Sequence, residues 1–279
     1  MLIYHQCKGV NSVKKYRIIE TVNNGVRIKV TRFGNGKKNM LILPGVSLRP
    51  VSESAEAITY QYKKAWEDYT VWVFDRKEDM KEGYSVNDMA EDTAAAMLSL
   101  GIKDAYALGV SQGGMILQLL MINYPELIKK GVVASSASRL EEKDKTVLKR
   151  WISIARTHDV KALNHDCFMS IYSPEFIEKY KDGLYFAESV GAESECDDFA
   201  VQCTACLDYS SYDELEKIKC PVFVVCSAED KIFSTACSED MAKKLGCDLY
   251  VYERFAHAVY DEAPDFLDRI LEFFSRKEE

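Results

Sequence analysis

Three residue types that together activate a hydroxyl nucleophile occur in this chain in settings that suit them: Ser111, Asp230 and His257. Ser111 lies in Gly109-Val110-Ser111-Gln112-Gly113-Gly114, a G-x-S-x-G pattern. The apolar run DAYALGV before it reads as a strand, and GMILQLLMINY after it reads as a helix. A sharp strand-to-helix turn presents the serine at its tip. Glycine is needed at 109 and 113, where neighbouring chain comes too close for a side chain. The helix N-terminus favours negative charge developing beside the serine. The plainer reading, a bystander serine in a glycine-rich turn, does not account for the flanking elements.

A serine hydroxyl needs a base. The chain has four histidines, at 5, 158, 165 and 257. His257 follows the strand-like DLYVYERF, in the short loop FAHAVYDEAPDF that precedes the last helix. His5 lies in the N-terminal segment, and His158 and His165 in a polar helical region. The base in turn needs a carboxylate to hold its tautomer. Asp230 ends the strand VFVVCSAED, with Glu229 as its local competitor and a helix cap as its ordinary alternative role. Acyl chemistry also needs an oxyanion hole. The N–H of Gln112, next after the nucleophile, is one candidate donor. The N–H of Val46, just past Pro44-Gly45 in the loop after the strand MLILPG, is the other.

These residues need a scaffold that brings strand ends together. YRIIETV and GVRIKVTRF flank Asn24-Gly25, which predicts a hairpin, with Arg27, Lys29 and Thr31 on a wet face. MLILPG is apolar on both faces and belongs inside a sheet. Then follow helix 54–66, strand 70–75, helix 86–100, strand 104–110, helix 113–123 and strand 131–136. Val86, Met89, Ala90, Thr93 and Met97 share one face of the second of these helices. The alternation predicts a mostly parallel sheet covered on both sides. It stops near Arg139 and resumes at Pro221. The expected organisation is a core of residues 1–138 and 217–279 interrupted by a helical insertion, 139–216. That span carries the whole chain's net charge of −8 and many aromatics.

The set resembles the α/β-hydrolase superfamily, in its serine-hydrolase branch with a helical cap. LPG, GVSQGG, CSAEDKIF and FAHAVYDEAPDF carry the resemblance. It implies an eight-stranded, mostly parallel sheet. It also implies a triad of Ser111, Asp230 and His257, with the amides of Val46 and Gln112 as the oxyanion hole. Many relatives have His-Gly where this chain has Pro44-Gly45. The expected activity is hydrolysis of a carboxylic ester or related small acyl substrate, with no metal and no cofactor. An acyltransferase on the same triad, or a hydrolase-derived ligand receptor with slow turnover, shares these residues. Trp151, Phe168, Tyr172 and Phe199 are candidates for the substrate pocket, against the alternative that they only pack the cap. Phe168, Tyr172 and Phe176 fall at helical spacing.

Composition excludes several other classes. Of 279 residues, 47% are hydrophobic and 29% charged, the balance of a globular chain. The acidic excess lacks the basic footprint of a nucleic-acid binder. MILQLLMI is too short to span a bilayer, and the N-terminus lacks the pattern of a signal peptide. Nine cysteines in such a chain read as reduced thiols, and the expected location is cytoplasmic. Cys203 and Cys206 form a C-x-x-C without a second pair at metal-binding spacing, and read as thiols on a cap helix. Gly34-Asn35-Gly36 is a turn. The sequence shows no phosphate-binding loop and says nothing of oligomeric state.

Overall fold

The computed structural model describes residues 15–277 apart from Asn24. His5, Cys7 and Asn24 of the expected turn lie outside the described residues. Eight strands form one sheet: β1 (Tyr16–Asn23), β2 (Val26–Phe33), β3 (Lys38–Leu43), β4 (Tyr69–Phe74), β5 (Ala105–Val110), β6 (Ile128–Ala134), β7 (Val222–Ser227) and β8 (Asp248–Tyr252). Their order is β1-β2-β4-β3-β5-β6-β7-β8. β2 runs antiparallel to both its neighbours, and the pairings from β4 through to β8 are parallel. The chain steps from β3 to one side to make β4, then crosses back to make β5 on the other. The loops after β3 and β5 therefore diverge at their C-terminal ends, the place where ligands bind in open α/β sheets.

Ten α-helices complete the described chain: α1 (Ala55–Gln61), α2 (Val86–Ser99), α3 (Gln112–Asn123), α4 (Thr146–Ala155), α5 (Val160–Ile171), α6 (Pro174–Ala187), α7 (Glu195–Leu207), α8 (Thr235–Leu245), α9 (Val259–Glu262) and α10 (Phe266–Ser275). The period-2 geometry of the strands divides the core. Leu41, Ala107 and Val133 face α2 and α3, in a cluster with Met89, Met97, Met115 and Leu117. Met40, Ile42 and Leu108 face the opposite side, with Ile58 of α1 and Ile270, Phe273 and Phe274 of α10. β5 and β7 are buried along their whole length, as their apolar runs require. From Gln112 to Ile122 every residue of α3 is buried, which fits a helix that is apolar nearly all round. α2 opens with a capping box: Asp88 N–H donates to Ser85 Oγ, and the Asp88 carboxylate accepts from Ser85 N–H at 2.7 Å. Its predicted apolar face is buried in full.

Several elements differ from expectation. Thr31 is buried rather than wet, because it shares a face of β2 with Phe33, which packs in the cluster with Ile58 and Phe274. The helix expected over 54–66 ends at Gln61, where Tyr62 leaves helical geometry, and a 3₁₀ turn follows at Lys63–Ala65. The strand expected to reach 136 stops at Ala134, since Ser135 has φ +45°. The histidine loop contains the short helix α9.

Between β6 and β7 the chain leaves the sheet and makes α4 to α7. A neck closes this excursion: Ser211 N–H donates to Ser138 C=O at 2.8 Å, and Arg139 and Ser210 form an antiparallel bridge. Phe168, Tyr172 and Phe176 do not lie on one helix. Tyr172 caps α5 in extended geometry, and its ring stacks on Phe176 of α6 at 4.3 Å. Among the described residues no helix is long and apolar enough to cross a membrane.

Candidate active site

Ser111 stands between β5 and α3 with φ 54° and ψ −123°, a region that costs a non-glycine residue strain. Packing imposes this turn. A Cβ on Gly113 would lie 1.9 Å from Leu43 O, and one on Gly109 would lie 2.4 Å from Gly113 O. Strand, turn and helix are thus pressed together, and the serine sits at the strand end, where it is buried, 7% exposed. Its backbone is pinned on both sides. Ser111 N–H donates to Ala134 C=O at 2.9 Å, and its C=O accepts from Gly114 N–H at 2.9 Å. Ser136 Oγ also donates to that carbonyl at 2.7 Å.

Asp230 lies three residues beyond β7 in a tight turn. Oδ1 accepts from Ile232 N–H at 2.7 Å and from Phe233 N–H at 3.1 Å. Those bonds fix the carboxylate so that Oδ2 meets His257 Nδ1 at 2.8 Å. Glu229, the sequence competitor, is exposed. The His257 ring has the Phe233 ring edge-on at 5.6 Å. Its carbonyl accepts from Ser135 Oγ at 2.8 Å. Adjacent serines at the end of β6 therefore each hold one backbone carbonyl: Ser135 that of His257, Ser136 that of Ser111. Ser111, Ser135 and Phe255 all have positive φ. Three of the six described non-glycine residues with positive φ thus lie around the residues that the sequence singled out, the others being Asp79, Asp104 and His158.

The other described histidines sit elsewhere. His158 pairs with Asp197 and His165 with Glu188, both with exposed rings on the excursion. Ser111 Oγ makes no side-chain hydrogen bond among the described residues.

Gly45 brings the loop after β3 against the serine, since a Cβ there would lie 3.0 Å from Ser111 Cβ. Among the described residues, no acceptor takes the N–H of Val46, or that of Gln112 at the first position of α3. The Gln112 side chain is fully buried. Its Nε2 donates to Gln202 C=O at 2.7 Å, and its Oε1 accepts from Arg76 Nε at 3.3 Å. Burial lowers the Arg76 pKa to about 10.

The excursion is tied to the histidine loop. Ala258 N–H donates to Ile171 C=O at 2.8 Å, and Tyr172 OH donates to Asp261 Oδ2 at 2.9 Å. The Glu262 carboxylate accepts from Ala256 N–H at 3.2 Å, from Ser173 N–H at 3.1 Å, and from Ser173 Oγ. Burial pushes the Glu262 pKa up.

The four pocket candidates separate into two pairs. Tyr172 and Phe168 belong to a small cluster that includes Ala258, next to His257. Trp151 and Phe199 pack against each other, 6.0 Å between ring centroids, inside the main core cluster. Cys203 and Cys206 are buried on α7, and burial raises both thiols, Cys206 to about 12. Sequence reasoning did not single out Ser135, Ser136, Arg76, Gln202 or Glu262. Each acts through a contact distant along the chain, and only the run ASS at the end of β6 hinted at any of them.

Comparison with known proteins agrees with this architecture. A family model described as the alpha/beta hydrolase fold matches residues 58–264. A Caulobacter sp. (strain K31) protein, whose name proposes a carbamate hydrolase, is 24% identical over 168 residues, covering 60% of this chain and 63% of its own. The 3-oxoadipate enol-lactonase 2 of Acinetobacter baylyi is 24% identical over 153 residues, covering 55% and 57%. The chain thus spans about three-fifths of the length of the curated relatives it matches. Among solved structures, an alpha/beta hydrolase from a Medee basin deep-sea metagenome library superposes with TM-score 0.82 at 22% identity, covering 94% of this chain and 98% of that one. The enol-lactonase of Burkholderia xenovorans LB400 gives 0.81 at 17% identity, covering 92% and 100%. The chain belongs to the α/β hydrolase fold family.

Proposed function

We propose that this protein is a serine hydrolase that cleaves a carboxylic ester or related small acyl substrate through an acyl-enzyme on Ser111. One observation carries the reading: the sealed 2.8 Å contact between His257 Nδ1 and Asp230 Oδ2, past the C-terminal strand ends that also bear Ser111. A hydrogen bond from Nδ1–H to Asp230 leaves Nε2 as the acceptor. Ser111 Oγ attacks the acyl carbon as Nε2 takes its proton. Asp230 stabilises the imidazolium that results. The amides of Val46 and Gln112 donate to the tetrahedral oxyanion. His257 protonates the leaving group, the C–X bond breaks, and water activated by the same nitrogen releases the acid.

The names of the relatives support this chemistry, since lactone and carbamate hydrolysis both begin with attack on an acyl carbon. Helices α4 to α7 act as the cap over the strand ends that bear Ser111, and Phe168 and Tyr172 form its wall nearest to His257. No step draws on a metal or organic cofactor. Hydrolysis of short aryl esters by wild type and Ser111→Ala tests the reading. Turnover by wild type with none by a folded Ala variant is the expected result. Equal turnover by both overturns it.

A further inference from the structure

We infer that Gln202, on the inserted helix α7, is a positioning residue that sets the oxyanion loop, so that the seating of the insertion controls the rate of acyl transfer. This rests on the serine-hydrolase reading above. The loop between Pro44 and Ser47 is held at its two ends. At one end, Arg76 Nη2 donates to Pro44 C=O at 2.7 Å. At the other, the Gln202 side chain pairs with both backbone groups of Ser47. Ser47 N–H donates to its Oε1 at 3.3 Å, and its Nε2 donates to Ser47 C=O at 3.0 Å. Gly45 and Val46 lie between these clamps, and among the described residues no other hydrogen bond holds their backbone.

Gln112 joins the two clamps. Its Oε1 accepts from Arg76 and its Nε2 donates to the Gln202 carbonyl, so the residue carrying one oxyanion donor is bonded to both residues that hold the other. The pattern closes into a ring from Pro44 through Arg76, Gln112 and Gln202 to Ser47. Gln112 and Gln202 are 0% and 3% exposed, and leaving a bond unmade at such a buried site is costly. Two helices, α3 and α7, and the segment just after β4 thus meet at the loop after β3.

Gln202 contributes no group to the substrate. It fixes where Val46 N–H points. Removing a donor from an oxyanion hole typically lowers turnover about 100-fold to 1,000-fold, and misaiming one costs a part of that. The loss falls on the transition state rather than on substrate binding, so kcat drops and KM holds.

The experiment compares wild type, Gln202→Met, Gln202→Glu and Cys203→Ala. Gln202→Met keeps length and apolar volume while losing both bonds to Ser47. Gln202→Glu keeps the acceptor but puts an oxygen against Ser47 C=O, and it serves if the Met variant fails to fold. Cys203→Ala perturbs packing of the same helix without touching the loop. Each is assayed for kcat and KM on a short aryl ester, and for the rate of inactivation by a small fluorophosphonate. The expected result for the Gln202 variants is a fall of about 10-fold to 100-fold in kcat and in inactivation rate. KM should stay within about two-fold, and Cys203→Ala should resemble wild type. Unchanged rates in a folded Gln202 variant, or an equal loss in Cys203→Ala, overturn the inference while labelled wild type keeps the serine-hydrolase reading. Failure of the probe to label Ser111 in wild type overturns both.

Discussion

Nδ1 of His257 lies 2.8 Å from Oδ2 of Asp230, and the side chains are 3% and 1% exposed. A contact so well shielded is hardly weakened by salt or water, and the other carboxylate oxygen is saturated by two backbone N–H groups. Substituting Asp230→Asn keeps a carbonyl oxygen for those two donors but favours the wrong imidazole tautomer. Turnover should fall by about 10,000-fold with little loss of stability. Glu229→Gln, on an exposed neighbour, should leave turnover near wild type. Steady-state kinetics on both variants checks the pair, and a greater loss in Glu229→Gln would assign the role to the other carboxylate.

The nucleophile turn should be intolerant of a single methyl group. In Gly113→Ala the new Cβ falls 1.9 Å from Leu43 O, a backbone atom that cannot move without shifting β3. The cost should exceed the usual range for overpacking, about 1–3 kcal/mol. Thermal unfolding of soluble protein, or failure to obtain any, measures it. At Gly25 the same Cβ meets nothing within 4 Å, so only the strain of its φ of +83° opposes Ala there, and the loss should be smaller.

Much of the candidate site was legible in the sequence because its logic is local. Glycines at 109 and 113 announce close backbone approach, and the apolar runs of β3, β5 and β7 announce buried strands whose ends converge. Order along the chain then paired Ser111 with Asp230 and His257. Less local features were hidden. Nothing near Ser135 says that its hydroxyl reaches His257, 122 positions away. Gln202 reads as a polar helix residue until Ser47, 155 positions away, is seen beside it. The apparent helical spacing of Phe168, Tyr172 and Phe176 misled because Tyr172 ends one helix and Pro174 starts the next.

Replacing aromatics of the insertion should produce two distinct outcomes. Trp151→Ala removes a 2% exposed ring packed on Phe199, and should cost about 3–5 kcal/mol of stability. Substrate preference among the surviving folded molecules should hold. Phe168→Ala, beside the His257 loop, should instead change the ratio of kcat/KM between short and long acyl chains. Denaturant unfolding together with an ester panel separates the two. A uniform loss across all esters in Phe168→Ala would make that ring packing alone.

Glu262 links stability to pH. Burial, with Asp261 close by, raises its pKa in the folded state above the ordinary carboxylate value. The folded protein therefore holds this proton more tightly than the unfolded chain does. That contribution is complete below the unfolded value and is lost as pH rises through the folded one. Glu262→Gln is neutral throughout and can still accept from Ser173 N–H and Ala256 N–H. Its melting temperature should gain on wild type as pH rises from about 4 to 7. Parallel melting curves against pH would show that Glu262 is not perturbed.

The most direct test of the account is the site at which a fluorophosphonate reacts, read by intact mass and peptide mapping. The prediction is a single adduct, on Ser111, that is absent from folded Ser111→Ala and forms far more slowly in His257→Ala. An unmodified Ser111 in wild type, or an adduct that persists undiminished in Ser111→Ala, would contradict it.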